Sequence, residues 1–171
     1  MGKIDLREGD EAPLFKLDSY NAGPIELAQF KGQKVVLIFS RYFGCNICQL
    51  DLKTLLSRKE EIYEKGAKIF YVTQSGEKVS RSFIKKENID FPVIPSSKEG
   101  LYKDYGLGLM TTEAVTEVRA KMKEATLLGI EHGEYEGWEK QGPGQFIINE
   151  DGKIIHSKKG WLDIDSLLVA L

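Results

Sequence analysis

The sequence predicts an α/β protein with three layers, in which helices cover both faces of a mixed central sheet. Short, continuously apolar runs alternate with longer amphipathic stretches, which is the pattern of buried strands alternating with helices. Two strand-like runs near the C-terminus follow each other across an Asp-Gly pair, which predicts a closing hairpin. With 171 residues, 42% of them hydrophobic, the chain is expected to form a single domain over residues 1–171.

Each predicted strand is a run of β-branched and other apolar residues bounded by turn residues. The clearest is Val-Val-Leu-Ile-Phe-Ser at 35–40, which has no charged residue and so indicates a strand buried on both faces. A hairpin is predicted before it, and a short strand closed by proline after the next long run. The predicted strands cover residues 14–17, 24–27, 35–40, 68–73, 90–95, 145–149 and 153–157.

Four helices are predicted from apolar residues that recur every three or four positions. They cover residues 45–64, 77–87, 112–127 and 164–171. Asp163 is the expected N-cap of the last helix, because its carboxylate can accept a hydrogen bond from a free backbone N–H. The expected buried stripes are Cys48, Leu52, Leu55 and Ile62 on the first helix and Val115, Val118, Met122 and Ala125 on the third.

The charge balance gives no indication of a nucleic-acid or membrane partner. Lys and Arg total 24 and Asp and Glu total 26, which leaves a net charge of −2. No apolar run is long enough for a transmembrane helix, and the opening Met-Gly-Lys-Ile-Asp-Leu lacks the apolar core of a signal peptide. We therefore expect a cytoplasmic protein. The composition leaves its oligomeric state open.

The two cysteines, Cys45 and Cys48, are the strongest candidates for chemistry. Cys45 falls at the start of the first predicted helix, where free backbone N–H groups and the helix dipole favour a thiolate. Arg41, four residues earlier, is expected to add positive potential. Cys48 lies one turn deeper on the apolar stripe, so it should be more buried and less ionised. This asymmetry predicts that Cys45 attacks and Cys48 resolves the mixed disulfide.

Two other interpretations of the cysteine pair remain open. The pair could be half of a zinc site completed by His132 and His156 or by carboxylates, although no second C-x-x-C exists. It could also be an inert pair of buried thiols. His132 itself lies in an acidic, glycine-rich stretch that is expected to be a solvated loop bordering the site, and Trp161 is expected to pack in the core.

The order and spacing of several segments resemble the alkyl hydroperoxide reductase C/thiol-specific antioxidant (AhpC/TSA) family, the peroxiredoxins in the broad sense. These segments are Gly-Asp-Glu-Ala-Pro-Leu-Phe at 9–15, the strand at 35–40, Cys45 and Phe-Ile-Ile-Asn-Glu-Asp-Gly-Lys at 146–153. The resemblance extends from Gly9 to the C-terminal helix. It implies a thioredoxin-like fold and the thiol-based reduction of peroxides or disulfides.

The sequence departs from this family at three positions. Peroxiredoxins carry Pro-x-x-x-Thr/Ser-x-x-Cys, and here Ile38 stands at the proline position and Tyr42 at the Thr/Ser position. The arginine that peroxiredoxins place before the late core strand corresponds by spacing to Pro143. The chain is therefore similar to the peroxiredoxin-like subgroup that carries C-x-x-C. Thioredoxins also have a buried Asp where this chain has Phe39, so Cys48 would need another base or water.

The resemblance to thioredoxin-like domains further implies a substrate-binding region around Pro143. Those domains place a cis-proline opposite the C-x-x-C, so we predict a cis Gly142–Pro143 bond that turns backbone groups toward an extended substrate. Gly142 would leave room for close approach. Tyr42, Phe43 and Trp138 are expected to form an apolar rim around Cys45.

We thus predict a thiol-dependent oxidoreductase in which Cys45 and Cys48 act with Arg41 and Tyr42, and in which Gly142, Pro143 and Phe43 contact the substrate. The expected substrates are disulfides and, more slowly, peroxides, with a thioredoxin- or glutathione-type electron donor and no cofactor or metal. The alternatives are a genuine atypical two-cysteine peroxidase and a non-enzymatic zinc- or peptide-binding module.

Overall fold

The computed structural model describes residues 5–171. The expectation that the N-terminus is not a signal peptide rests partly on residues 1–4, which lie outside the described residues. Seven strands and five helices follow one another along the chain, together with a 3-10 helix at Leu27–Phe30. The strands are β1 (Lys16–Asp18), β2 (Pro24–Glu26), β3 (Lys34–Phe39), β4 (Ala67–Thr73), β5 (Val93–Pro95), β6 (Gly144–Ile148) and β7 (Ile154–Lys158). The helices are α1 (Asn46–Glu64), α2 (Glu77–Lys86), α3 (Leu101–Asp104), α4 (Thr112–Leu127) and α5 (Ile164–Ala170).

Five strands form a mixed sheet in the order β5-β4-β3-β6-β7, and β1 and β2 form a separate hairpin. β3 pairs parallel to β4 and antiparallel to β6, so Val36 lies between Ile69 and Ile147. β6 continues into the antiparallel β7 through a turn in which Gly152 has a φ of +84°. The predicted mixed sheet, early hairpin and closing hairpin are confirmed.

Alternate residues of β3 supply two hydrophobic cores, one on each face of the sheet. Leu37 and Phe39 pack with the aromatic residues of one face, including Tyr102 and Tyr105, which belong to and follow α3. Val36 and Ile38 pack on the other face. There they meet α1 and α5 through Leu52, Leu55, Ile62, Ile164 and Leu167. This arrangement gives the three predicted layers, although α3 itself was not predicted because it has only 4 residues.

The buried face of α4 differs from the predicted one. Ala114 and Ala125 are fully buried, whereas Val115 is 57% and Met122 is 37% exposed. α4 docks through Lys121, whose Nζ lies 2.6 Å from Asp51 Oδ1 on α1. Because this ion pair and two small alanines set the rotation of the helix, Val115 and Met122 face outward. Of the predicted stripe, Ala125 is buried and Val118 is half-buried against the cluster around the cysteines, as expected.

The last helix begins as predicted, since Asp163 Oδ1 accepts a hydrogen bond from Ser166 N at 3.1 Å. No helix within residues 5–171 combines the length and apolar character needed to cross a membrane.

Candidate active site

Cys45 is the N-cap of α1, directly after the turn that follows the central strand β3. Its sulfur accepts a hydrogen bond from Cys48 N at 3.3 Å, because the extended conformation of the cap residue directs the side chain back over the first helical turn. Both cysteines are free thiols and both are only 3% exposed. Solvent exposure therefore does not separate the two cysteines, but the effect of burial on the pKa is larger at Cys48, in the expected direction.

The two thiols nevertheless differ in acidity in the predicted direction. The hydrogen bond from the Cys48 thiol, together with the charge of Arg41 and backbone N–H groups, lowers the pKa of Cys45 against the opposing effect of burial. Burial raises the pKa of Cys48 well above its ordinary value, and its hydrogen bond to Cys45 raises it further. At neutral pH, Cys45 is therefore the better nucleophile.

Arg41 is buried beside the Cys45 sulfur, with Nη1 donating to Sγ at 3.4 Å. Nη2 donates to the backbone oxygen of Glu139 and lies 3.6 Å from its carboxylate oxygen Oε2. The guanidinium also lies 5.2 Å from the centre of the Tyr42 ring and 6.0 Å from that of Trp161. Arg41 thus connects the Cys45 sulfur to Glu139, which lies 98 residues after Arg41 in the chain.

Tyr42 is also buried, and its hydroxyl donates to Glu139 Oε1 at 2.9 Å and lies 3.1 Å from His132 Nε2. Burial and then the hydrogen bond to Glu139 raise the pKa of this phenol, so it stays protonated. Its ring packs with Cys45 and Cys48. The hydroxyl that was expected to replace the peroxiredoxin Thr/Ser is therefore directed toward Glu139 and His132.

The predicted apolar rim does not form at Phe43. This residue is 1% exposed and its ring stacks on Phe83 at 4.9 Å and on Tyr71 at 5.7 Å. Its backbone N–H donates to Ser75 Oγ at 2.8 Å, and the residue packs in the core between the sheet and α1. The ring of Trp138 lies 4.6 Å from Lys98 Nζ. Tyr42 is thus the one member of the predicted rim placed against the cysteines in the described part of the chain.

The prediction of a cis Gly142–Pro143 bond is wrong, because residues 5–171 contain no cis peptide bond. Both residues are buried. The backbone groups of Gly142 are engaged within the chain: its N–H donates to Gly108 O at 2.8 Å, and its oxygen accepts from Gln141 Nε2 at 3.0 Å. The segment at Gly108 thus occupies the place expected for an extended substrate.

Pro143 instead lines a small cavity of about 20 Å³ beside Cys48. Its wall also includes Asp51, Leu55, Tyr71 and Trp161. This volume suits about one water molecule. Trp161 is core, as predicted, and its indole N–H donates to Ala114 O at 2.9 Å.

Asp51 is the site residue that sequence reasoning missed. It lies one helical turn after Cys48 and lines the same cavity. Burial raises the pKa of its carboxyl, although the ion pair with Lys121 opposes the shift. Leu162 N donates to its other oxygen, Oδ2, at 3.1 Å. A polar residue inside the apolar stripe of α1 was the signal that could have found it.

Within residues 5–171, no group of three or more His, Cys, Asp or Glu side chains is arranged to hold a metal ion, so the structure does not support the zinc interpretation. His156 lies 3.0 Å from Gln145 Nε2. His132 is exposed, as expected, and it borders the site through Tyr42.

Comparison with known proteins assigns the family. The sequence profile of the AhpC/TSA family matches residues 8–157. This chain belongs to the AhpC/TSA family. It is 25% identical over 122 residues to the thiol-disulfide oxidoreductase ResA of Bacillus subtilis, covering 71% of this chain and 68% of ResA. It is 25% identical over 152 residues to the peroxiredoxin Bcp of Escherichia coli, covering 88% of this chain and 84% of Bcp.

Solved structures of low sequence identity share the fold of this AhpC/TSA chain. Peroxidoxin BcpB from Mycobacterium tuberculosis superposes with a TM-score of 0.72 at 15% identity, covering 97% of this chain and 96% of BcpB. A thiol:disulfide interchange protein from Chlorobium tepidum gives a TM-score of 0.63 at 16% identity, with coverages of 98% and 96%. The fold is thioredoxin-like, and the protein is a thiol-dependent oxidoreductase of peroxiredoxin-like type.

Proposed function

We propose that this protein reduces disulfide bonds through a Cys45–Cys48 dithiol–disulfide cycle. The observation that carries the proposal is the geometry of the pair, in which Cys45 caps α1 and its sulfur accepts hydrogen bonds from Cys48 N and the buried Arg41. With the hydrogen bond from the Cys48 thiol, these contacts lower the pKa of Cys45, whereas burial raises that of Cys48. The Cys45 thiolate attacks one sulfur of the substrate, forming a mixed disulfide and releasing one substrate thiolate. Cys48 then attacks Cys45, releasing the second substrate thiolate and closing the Cys45–Cys48 disulfide.

The second step requires Cys48 to lose its proton, since its raised pKa keeps it neutral at pH 7. Asp51 faces the same small cavity as Cys48 and is the carboxylate best placed to take that proton, directly or through one water. Asp51 would thus take the role of the buried Asp of thioredoxins, whose position is occupied here by Phe39. The proton then leaves with the reduced substrate thiol.

Peroxide reduction is a second candidate function, and Arg41 favours it. Its Nη1 contacts the Cys45 sulfur, and its buried Nε has no hydrogen-bond partner within the described residues. In this reaction the Cys45 thiolate attacks a peroxide oxygen and becomes a sulfenic acid, while the other oxygen leaves as water or alcohol. Cys48 then condenses with the sulfenic acid to form the disulfide and release water.

We further propose that an external dithiol or thiol of the thioredoxin or glutathione type reduces the Cys45–Cys48 disulfide, and that the protein works in the cytoplasm. A chain whose two cysteines form one C-x-x-C pair fits a reducing compartment, where such pairs serve catalysis. Incubation of the oxidised protein with each donor in turn, with thiol release as the readout, would identify the donor.

Trapping variants test the proposed roles. Cys48→Ser should accumulate a mixed disulfide between Cys45 and a protein disulfide substrate, because the resolving thiol is absent. Cys45→Ser is the matched control and should trap nothing. A mixed disulfide through Cys48 in the Cys45→Ser protein would reverse the assigned roles, and one stoichiometric zinc ion in the purified protein would favour the metal-binding alternative.

A further inference from the structure

Residues 131–140, which we call the strap, run past Gly44 and bind Arg41 and Tyr42, the two residues that lie against Cys45. The strap contains no helix or strand, and within it only Glu136 and Trp138 are half-buried while the other residues are exposed.

Buried residues hold the strap at both ends, with Ile130 at 8% and Gln141 at 0% exposure. Between these ends, Trp138 N donates to Gln74 Oε1 at 2.8 Å and Glu136 Oε2 accepts from Gly76 N at 2.7 Å, so the strap is a largely exposed span with one intermediate attachment.

Hydrogen bonds attach the strap to the residues around the thiols. Gly133 N donates to Gly44 O at 2.8 Å, and Gln49 Nε2 donates to Glu131 O at 3.0 Å. The larger set of contacts is made by Glu139. Its carboxylate accepts from Tyr42 at 2.9 Å and pairs with Arg41 at 3.6 Å, and its backbone oxygen also accepts from Arg41. Water can replace such polar contacts when the strap lifts.

The chain has glycines where the strap approaches the site and where it would bend. A Cβ on Gly44 would lie 2.3 Å from Glu134 O and 2.8 Å from Glu134 N, so the close contact of the two backbones requires glycine there. Gly129 and Gly137 have φ values of +73° and +68°, a region that other residues rarely adopt. These positions allow the backbone to change direction on either side of the contact.

We propose that the strap gates Cys45 and that Glu139 is the latch that holds it closed. The inference rests on the proposed function, because a disulfide must reach a sulfur that belongs to a residue only 3% exposed in the closed form. Opening releases Arg41 and Tyr42 from Glu139, so that these two residues can move away from Cys45. The open form then presents a thiolate beside a guanidinium that has lost its carboxylate partner.

The gate predicts how fast Cys45 reacts with a small reagent. We would measure the second-order rate constant of alkylation by iodoacetamide across pH, assigning the modified cysteine by fragmentation mass spectrometry. The plateau at high pH reports access to the ionised thiol, and the midpoint reports its pKa. If opening precedes reaction, the plateau scales with the population of the open strap.

Two variants change the gate in different ways. Gly44→Ala forces the strap away without changing any charge, and Glu139→Ala removes the latch carboxylate. Each should raise the plateau by about fivefold or more, as expected for the loss of one or more hydrogen bonds. Glu139→Ala should also lower the midpoint, because Arg41 no longer faces a carboxylate. Glu134→Ala is the matched control, since it removes a strap carboxylate that makes no side-chain contact within the described residues, and its plateau should change by less than about twofold.

A plateau unchanged in both Gly44→Ala and Glu139→Ala would overturn the proposal, as would an equal rise in Glu134→Ala. Either folded variant alone decides the question if the other fails to fold, as judged by circular dichroism. The readout is separate from turnover. If the variants raise the plateau but the protein reduces no disulfide, the gate stands and the proposed function is contradicted. If the protein reduces disulfides but the plateaus are unchanged, the proposed function stands and the gate is contradicted.

Discussion

At the scale of single residues, the hydrogen bond from Cys48 and one buried cation together lower the pKa of Cys45. Arg41 donates to the sulfur at 3.4 Å, and because it is buried its charge is poorly screened by solvent ions. Burial by itself disfavours the thiolate, so the lowered pKa of Cys45 depends on hydrogen bonds and on this charge. The alkylation rate of Cys45 should rise with pH through its pKa and level off above it.

Arg41→Gln should move the midpoint of that profile to higher pH by about one unit or more, because the favourable charge is lost while burial remains. Arg41→Lys is the control that keeps the charge, and its midpoint should move less. The measurement is the pH dependence of iodoacetamide alkylation at Cys45. Identical midpoints in the original protein and Arg41→Gln would show that Arg41 does not stabilise the thiolate.

Asp51 governs the second chemical step in this scheme. Asp51→Asn keeps the size of the side chain and an oxygen for Leu162 N, but its amide cannot take the Cys48 proton. Resolution of the mixed disulfide should slow by about tenfold or more at neutral pH, while its formation by Cys45 should be nearly unchanged. Rapid-quench analysis of the mixed disulfide would separate the two steps. A variant that resolves at the original rate would rule out Asp51 as the base.

At the scale of secondary-structure elements, α4 shows why hydrophobic periodicity predicted a helix but not its orientation. Its apolar residues do recur at helical spacing, yet the helix packs through Ala114, Ala125 and the Lys121–Asp51 pair. A buried carboxylate without its cation is costly, so keeping Lys121 against α1 outweighs burial of Val115 and Met122. The helix is therefore rotated about its axis relative to the predicted face.

This rotation predicts unequal effects of substitutions on α4. Ala125→Leu should lower the free energy of unfolding by about 1–3 kcal/mol, since Ala125 packs tightly with Leu50 and Ile130. Val115→Ala should change it by less than about 0.5 kcal/mol, because Val115 faces solvent. Urea denaturation measures both values. Because Ala125 is buried on either face, Val115→Ala is the deciding variant, and a loss of about 1 kcal/mol or more in it would support the face predicted from the sequence.

At the scale of the whole molecule, the thioredoxin-like fold carries a site with features of both disulfide exchange and peroxide reduction. The C-x-x-C pair at the start of α1 suits disulfide exchange. The site has fewer donors for a departing peroxide oxygen than the peroxiredoxin pattern provides. Tyr42 donates to Glu139 instead, and Pro143, which stands at the position of the peroxiredoxin arginine, lines the cavity beside Cys48. Arg41 and helix-end N–H groups remain at Cys45.

We therefore expect slow peroxide reduction and faster reduction of a protein or small-molecule disulfide. The loss of one preorganised donor commonly costs about a hundredfold in rate, whereas a disulfide has a better leaving group. Turnover with hydrogen peroxide and with a protein disulfide, measured side by side with the same donor, checks this. A peroxide rate constant on the order of 10⁷ M⁻¹s⁻¹ or higher would instead identify the protein as an efficient peroxidase.

The sequence by itself determined the features that depend on neighbours within about one helical turn or one strand. The apolar run of β3 and the stripe of α1 were predicted because side-chain periodicity reflects which face is buried. The position of Cys45 at the cap, with Cys48 one turn on and Arg41 four residues before, followed from spacing alone. The lowered pKa of Cys45 depends largely on those short distances, whereas the raised pKa of Cys48 depends first on burial within the fold.

Only the tertiary structure decided how the site is covered and which groups it contains. Glu139 meets Arg41 across 98 positions of the chain, and Gly133 pairs with Gly44. The N–H of Gly142 donates to Gly108 O and its oxygen accepts from Gln141 Nε2, so neither group is free to pair with a substrate as expected. These contacts join irregular segments, where no periodic pattern records the partner, and their outcome depends on which distant groups compete for the same hydrogen bonds.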